Sequence, residues 1–265
     1  MQFTTIYPMR NSRDVFGRGR WFGPRSALGL LGLLASLIPL SAPAADLSAP
    51  LPASAQSLAF ARYIASIQEH NPFIESGPVA VEIEASLPNL YKGSRLLAIR
   101  QTGESERSEY QVLRIEGDGT VVQEVIARYL AVQEQIEGLP TSSVAITPAN
   151  YKFRYTGEVK TGRTSAYIYQ IIPKKRREGL ILGQVWIDAA TGTPVLQAGR
   201  FIKTPSFKGR IEIVRDTKLL NRLPYARVTH VAIEIPQLGR GELMITEYLL
   251  TSADEEGGTL SLRAQ

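Results

Sequence analysis

Cysteine is absent from all 265 residues, and histidine occurs only twice. The first absence excludes disulfide stapling and any small scaffold built around bridges, so stability has to come from a core. It also excludes the cysteine that tethers a bacterial lipoprotein by its first residue. The second leaves His70 and His230 as the only imidazoles, a poor zinc set without thiolates. No Gly-x-Ser-x-Gly elbow is present, and no glycine-rich segment follows a strand and opens a helix. The commonest serine-hydrolase and nucleotide-loop signatures are therefore missing. Neither a metal nor a cofactor is expected.

Excess charge is also missing once the chain is divided. Arg10, Arg13, Arg18, Arg20 and Arg25 precede an apolar run, Ala27 to Leu40, and "SAPAAD" follows with Ala42 and Ala44 as small residues before a cut. That order is a secretory signal peptide over residues 1–45. The run contains Pro39 and is shorter than the roughly 20 residues of a bilayer span. "RGRW" separates Arg18 from Arg20, so a twin-arginine signal is absent. The expectation is export through a cleaved leader and a soluble periplasmic protein. Without the leader, 25 basic side chains face 24 acidic ones. A near-neutral mature chain removes the support for general polyanion binding, nucleic acid included.

Residues 46–55, "DLSAPLPASA", read as a flexible linker. Residues 56–265 are long enough for one large β-domain. Leu58, Ala61, Ile64 and Ile67 recur as one helical stripe that Asn71-Pro72 ends. Short strands are expected at Val79 to Ala85, Ser94 to Gln101 and Glu109 to Ile115, with "GDG" as a turn. Val122, Val125, Ile126, Tyr129, Leu130 and Ile136 mark a second helix, stopped by Gly138 and Pro140.

From Tyr151 the apolar period becomes two. "YKFRYTG" opens an antiparallel series continued by Ser165 to Ile172, Leu180 to Asp188, Pro194 to Lys203, Lys208 to Thr217, Tyr225 to Ile235 and Gly239 to Leu250. No alternation of strand and helix is present, which argues against a parallel doubly wound sheet. Phe153 and Tyr155, Val185 and Ile187, Ile211 and Ile213, Val231 and Ile233, and Leu243 and Ile245 are same-face pairs on different strands. They would line one continuous apolar surface, either a ligand cavity or a core filled by the two helices. Trp186 is out of phase with them. Glu84, Glu212, Glu234, Glu242 and Glu247 lie on strands, where a solvent-facing position is the default. A catalytic site is not expected.

The basic run Lys174, Lys175, Arg176, Arg177 sits between two strands, with Pro173 entering and Gly179 leaving. That is a solvated hairpin tip, or alternatively a contact with an anionic membrane surface or acidic partner. The segment after it, "GLILGQVWIDAATGTPVLQAGRF", is a strand, an Asp-Ala-Ala-Thr-Gly turn and a strand. "G-x-V-W-I-D-x-x-T-G-x-P-V" resembles a hairpin of the LolA-like outer-membrane lipoprotein-sorting superfamily, and the likeness extends loosely from Tyr151 to Leu250. The resemblance implies a mainly β, α+β fold: a large antiparallel half-open β-barrel with helices covering its concave apolar face. It implies a non-catalytic envelope protein binding a hydrophobic cargo (an acyl chain, a lipid or a lipidated protein). The same fold with a filled core would serve instead as a periplasmic protein-interaction or sensory module, and an exported hydrolase is the third reading.

Overall fold

The computed structural model describes residues 54–69, 77–102, 108–161, 164–205, 207–220 and 223–250. The expected leader, most of the expected linker, His70 and Asn71-Pro72 lie outside these residues. Helix α1 spans Ala55–Glu69, and β1 Val79–Leu87, β2 Lys92–Thr102 and β3 Ser108–Gly117 follow it. A continuous helix, α2, then runs through Gly119–Val121, Val122–Ala127 and Arg128–Glu137, its middle turn wound with π-type hydrogen bonds. A single turn, α3, covers Thr141–Val144. The remaining strands are β4 Tyr151–Thr161, β5 Thr164–Pro173, β6 Ile181–Asp188, β7 Pro194–Phe201, β8 Ile211–Leu220, β9 Leu223–Ile235 and β10 Gly239–Leu249. Among the described residues no helix is long and apolar enough to cross a membrane.

All ten strands belong to one antiparallel sheet in the order β3-β2-β1-β10-β9-β8-β7-β6-β5-β4. The sheet is mostly a meander, as the period-two runs predict, and its edges β3 and β4 do not close it. The one non-meander contact is the pairing of β1 with β10, which joins the first three strands to the last seven. The turn at "GDG" also starts a helix: Asp118 accepts from the amides of Thr120 at 2.8 Å and Val121 at 3.3 Å, capping α2.

Because directly opposed residues share a face, the register assigns Ala98, Val81, Ile245, Val231, Ile213, Ile171 and Phe153 to one side of the sheet, called here the inner face. Val121, Val125, Ile126, Tyr129 and Val132 of α2 form one buried cluster with inner-face residues of β1, β2, β8, β9 and β10. Tyr63 of α1 forms a second cluster with inner-face residues of β4, β5 and β6.

The face of α1 matches half of the expected stripe. Ile64 and Ile67 pack against the second cluster, whereas Leu58 is 47% exposed and Ala61 is exposed, because the buried residues of the helix are Ala59 and Tyr63 and its remaining contact is through aromatic rings. The Asp-Ala-Ala-Thr-Gly turn holds that docking. Asp188 Oδ1 accepts from the amides of Ala190 and Thr191 and from the Thr191 hydroxyl, as the turn chemistry predicts. In return Ala190 O accepts from Arg62 Nη1 at 2.9 Å. Gly192 adopts φ +80°, and a Cβ there would lie 2.6 Å from Arg62 Cβ and 2.7 Å from Tyr63 N.

A matched pair of substitutions tests this contact. Gly77 has a similar φ of +90° but nothing among the described residues within 4 Å of an added Cβ, so Gly77→Ala should cost only the positive-φ strain, about 1 kcal/mol. Gly192→Ala should cost roughly 2–4 kcal/mol, because the α1 backbone has to move as well. Urea unfolding of both variants checks it, equal losses meaning that the turn does not seat α1.

Candidate functional site

The ten apolar residues expected on one face divide into two groups. Ile211, Ile213, Val231, Ile233, Leu243 and Ile245 are 0–7% exposed and belong to the cluster shared with α2. Val185 and Ile187 are buried in the second cluster, against Tyr63, Tyr151 and Tyr169. Phe153 is partly buried at that cluster, while Tyr155 is 41% exposed on edge strand β4. The two groups meet different helices, and they meet them differently.

Contact with α2 is mostly by close-packed aliphatic side chains, with buried Tyr129 among them. Contact with α1 is mostly by a sheaf of rings, with Ile64 and Ile67 packed beside it. Phe60 lies 5.0 Å edge-on from Phe153 and 5.1 Å from Tyr169, and Tyr155 lies 5.7 Å from Tyr169 and 6.3 Å from Tyr167. Offset and edge-to-face pairs of this kind contribute about 0.5–1.5 kcal/mol each beyond their area. Two hydroxyls anchor the sheaf, Tyr63 donating to Ile146 O at 2.9 Å and Tyr169 to Gln56 O at 3.3 Å. Burial, with a smaller contribution from Tyr151, pushes the Tyr63 hydroxyl far above its ordinary range, so it stays a neutral donor.

Sequence reasoning placed Glu247 in solvent; in the structure it is 6% exposed on the inner face. Arg227 of β9 donates to both its oxygens, Nε at 2.6 Å and Nη2 at 2.8 Å, and Arg100 of β2 donates to it at 3.2 Å. Arg215 of β8 lies on the same face beside them. A signal for this row existed: Glu247 is in phase with Leu243 and Ile245, Arg227 with Val231 and Ile233, and Arg215 with Ile211 and Ile213. In-phase charges on apolar strands belong inside. Burial works against the Glu247 carboxylate, but the two arginines bonded to it and Arg215 together outweigh burial and hold it below the usual range. Tyr129 of α2, whose hydroxyl burial pushes up to about 12, and Tyr110 of β3 face the same charges.

The remaining polar candidates are scattered. Lys174, Lys175, Arg176 and Arg177 occupy the β5–β6 tip as expected, but two are tied back: Lys174 Nζ donates to Pro148 O at 2.5 Å and Arg177 to Asn150 Oδ1 at 2.7 Å. Buried Asn150 donates in turn to Ser142 O and Ala145 O, so that end of the run staples α3. Lys175 and Arg176 are exposed. His230 is half-buried on β9, and burial lowers its pKa. Trp186 packs with Ala166, Val195 and Leu219, away from the two inner-face clusters. Glu84, Glu234 and Glu242 are exposed, as the strand phase predicts. An open depression of about 420 Å³ is lined by Ala55, Tyr167, the 188–191 turn, Val195 and Asp216 to Leu219.

No family model and no curated protein matches the sequence. Among solved structures, the LolA superfamily protein NE2245 from Nitrosomonas europaea is 11% identical over 76% of this chain and 96% of that one, with a TM-score of 0.30. The chain is similar to structures of the LolA superfamily. A putative outer membrane lipoprotein-sorting protein domain from Vibrio parahaemolyticus is 11% identical, over 73% of this chain and 91% of that chain, at a TM-score of 0.27. MucB in the Pseudomonas aeruginosa MucA/MucB complex is 9% identical, over 74% and 95%, at 0.21.

Removing the carboxylate from the row tests its role. Glu247→Gln removes the charged acceptor that Arg100 and Arg227 share and should cost about 3–5 kcal/mol at pH 7. Because the folded pKa is depressed, the Glu247 contribution is complete above the ordinary glutamate range and is lost as pH falls through the lowered value. The stability gap between wild type and variant, measured by urea unfolding from pH 7 to pH 3, should therefore narrow toward acid. A gap independent of pH contradicts the buried ion pairs.

Proposed function

We propose that the protein is an exported, periplasmic, non-catalytic binding protein whose cargo is an acyl chain, a lipid or a lipidated protein segment held between the inner face of the sheet and its helices. The observation that carries this reading is the unequal fit of the two helices. The α2 half of the inner face is closed by aliphatic side chains, and its six expected lining residues act as core. The α1 half is closed by a ring sheaf that still reaches solvent through Tyr155, Phe153, Tyr167 and Phe60. Aromatic faces adapt to a flexible chain by small rotations, and each methylene buried there contributes about 0.8 kcal/mol. The cargo site is thus assigned to Phe60, Phe153, Tyr155 and Tyr167, with Val185 and Ile187 beneath them. Lys175 and Arg176 at the hairpin tip supply a contact for an anionic surface, worth roughly 1 kcal/mol per residue near such a membrane.

One observation favours a second reading, an interaction or sensory module with a filled interior. Ile187, Ile211 and Ile233 are 0% exposed, so the interior around them has no room for cargo unless a helix moves.

Native mass spectrometry with organic extraction, on protein purified from a bacterial periplasm without detergent, separates the two. A lipid or lipopeptide mass that is lost on denaturation, and that Phe153→Ala with Tyr155→Ala reduces at least ~10-fold, is the expected result. A polypeptide that stays bare after incubation with phospholipid and lipopeptide favours the filled module.

A further inference from the structure

Strand β7 stops short of its neighbour β8. The two pair from Arg200↔Glu212 to Leu196↔Asp216, whereas β8 stays paired with β9 as far as Leu220↔Leu223. From Thr217 to Leu220, therefore, β8 has a strand on one side only. Successive residues of an antiparallel strand direct their N–H and C=O groups alternately to its two sides, so this stretch presents backbone donors and acceptors on the unpaired side. No backbone hydrogen bond among the described residues reaches Thr217, Lys218 or Leu219 from there.

The depression of about 420 Å³ lies against that side. Asp216 to Leu219 line it from β8, and the start of β5, Tyr167 included, lines it together with the 188–191 turn. Its size is that of a binding pocket, roughly 300–1,000 Å³. Two carboxylates and one ammonium line it, Asp188 and Asp216 against Lys218, which leaves it negative by one charge. Asp188 uses its Oδ1 to hold the turn. Asp216 accepts from Lys218 Nζ through Oδ2, while its Oδ1 is enclosed with no hydrogen-bond partner among the described residues. An enclosed carboxylate oxygen without a donor is disfavoured, so the depression is short of a donor as well as of a positive charge.

We infer that this notch binds an extended polypeptide segment of a partner protein, which adds to the unpaired side of β8 as a short strand and offers a lysine or arginine to Asp216. The free stretch of β8 spans about 13 Å, enough for a few residues of added strand. Alternate side chains of such a segment fall on opposite faces of the sheet. Asp216 opposes Leu196 and Val228 on the outer face, and Thr217 opposes Arg227 on the inner face, the face of Tyr167. A basic side chain on the outer face therefore meets the carboxylate, and its apolar neighbours meet the Tyr167 ring. Recognition here is by backbone and carboxylate, and it holds whether the ring sheaf takes an acyl chain or stays filled.

The test titrates the purified protein with the pentapeptide Ser-Val-Lys-Val-Ser, acetylated and amidated, and follows the backbone amides by nitrogen-15 NMR. Peptides with Glu or norleucine at the centre and n-butylammonium are the controls. The Lys peptide should bind saturably and shift the amides of Thr217 to Leu219, and it should bind at least ~10-fold more tightly than the Glu peptide. Of two Lys peptides methylated on alternate amide nitrogens, one should lose binding and the other keep it, because only one set faces β8. Asp216→Asn should weaken the Lys peptide at least ~10-fold and leave the norleucine peptide unchanged. Lys218→Gln, which frees Asp216 from its present partner, should strengthen the Lys peptide roughly 2- to 5-fold. That opposite sign keeps the inference testable even if Asp216→Asn does not fold. If no peptide shifts these amides, or if both methylated peptides bind alike, no strand is added and the inference fails. Equal binding of the Lys, Glu and norleucine peptides overturns the assignment to a basic segment. If n-butylammonium binds as well as the Lys peptide, the notch is a site for small amines and strand addition is overturned.

Discussion

Everything on the inner face depends on one non-local pairing, that of β1 with β10. Without it the molecule would be a seven-stranded meander beside a three-stranded fragment, each with an unsatisfied edge. The register sets Val79 against Leu249 and Ile83 against Ile245, and β1 in turn carries β2 at its other side. Two consequences follow. The apolar residues of β1 and β2 join those of β8 to β10 in one cluster that α2 can seal, and Arg100 comes within reach of Glu247, 147 residues later in the chain.

A single open sheet of this width has more apolar face than one helix can bury. Two helices share the work with different chemistry. The capped and glycine-terminated α2 packs aliphatic groups into the centre, as in any core. The α1 contact is a set of aromatic edges with a few hydrogen bonds from Arg62, Tyr63 and Tyr169. Local stability follows contact type and burial, so the α1 side is where the structure can open at least cost. The proposed cargo site lies at that end, while the charged row lies on the same face next to the aliphatic cluster.

Much of the fold was legible because β-structure writes itself in period two. Ten strands are expected and ten are found among the described residues, with ends shifted by a few residues, as where Lys208 to Thr217 became Ile211–Leu220. The Asp-x-x-Thr-Gly turn was read correctly as turn chemistry, but its second task, seating α1 across Gly192, needs a partner 129 residues away and is invisible locally. The α1 face was only half read, Ile64 and Ile67 packing inward as expected but Leu58 and Ala61 not, since helical spacing counts aliphatic residues, whereas Phe60 and Tyr63 find rings on β4 and β5. Glu247 was assigned to solvent by residue type although its phase pointed inward. Phase was the better guide. The order of strands across β1 and β10 could not be read at all, because pairing between chain ends leaves no periodic trace.

The central claim is that the two helices hold the inner face with different strength. Amide hydrogen exchange resolved by peptide, under native conditions, measures it directly. The amides of α1 between Ala55 and Glu69 should exchange at least ~100-fold faster than those of α2 between Val122 and Glu137, with the β1–β10 ladder slowest of all. Equal protection of α1 and α2 would contradict the account, since the sheaf end would then be as closed as the core.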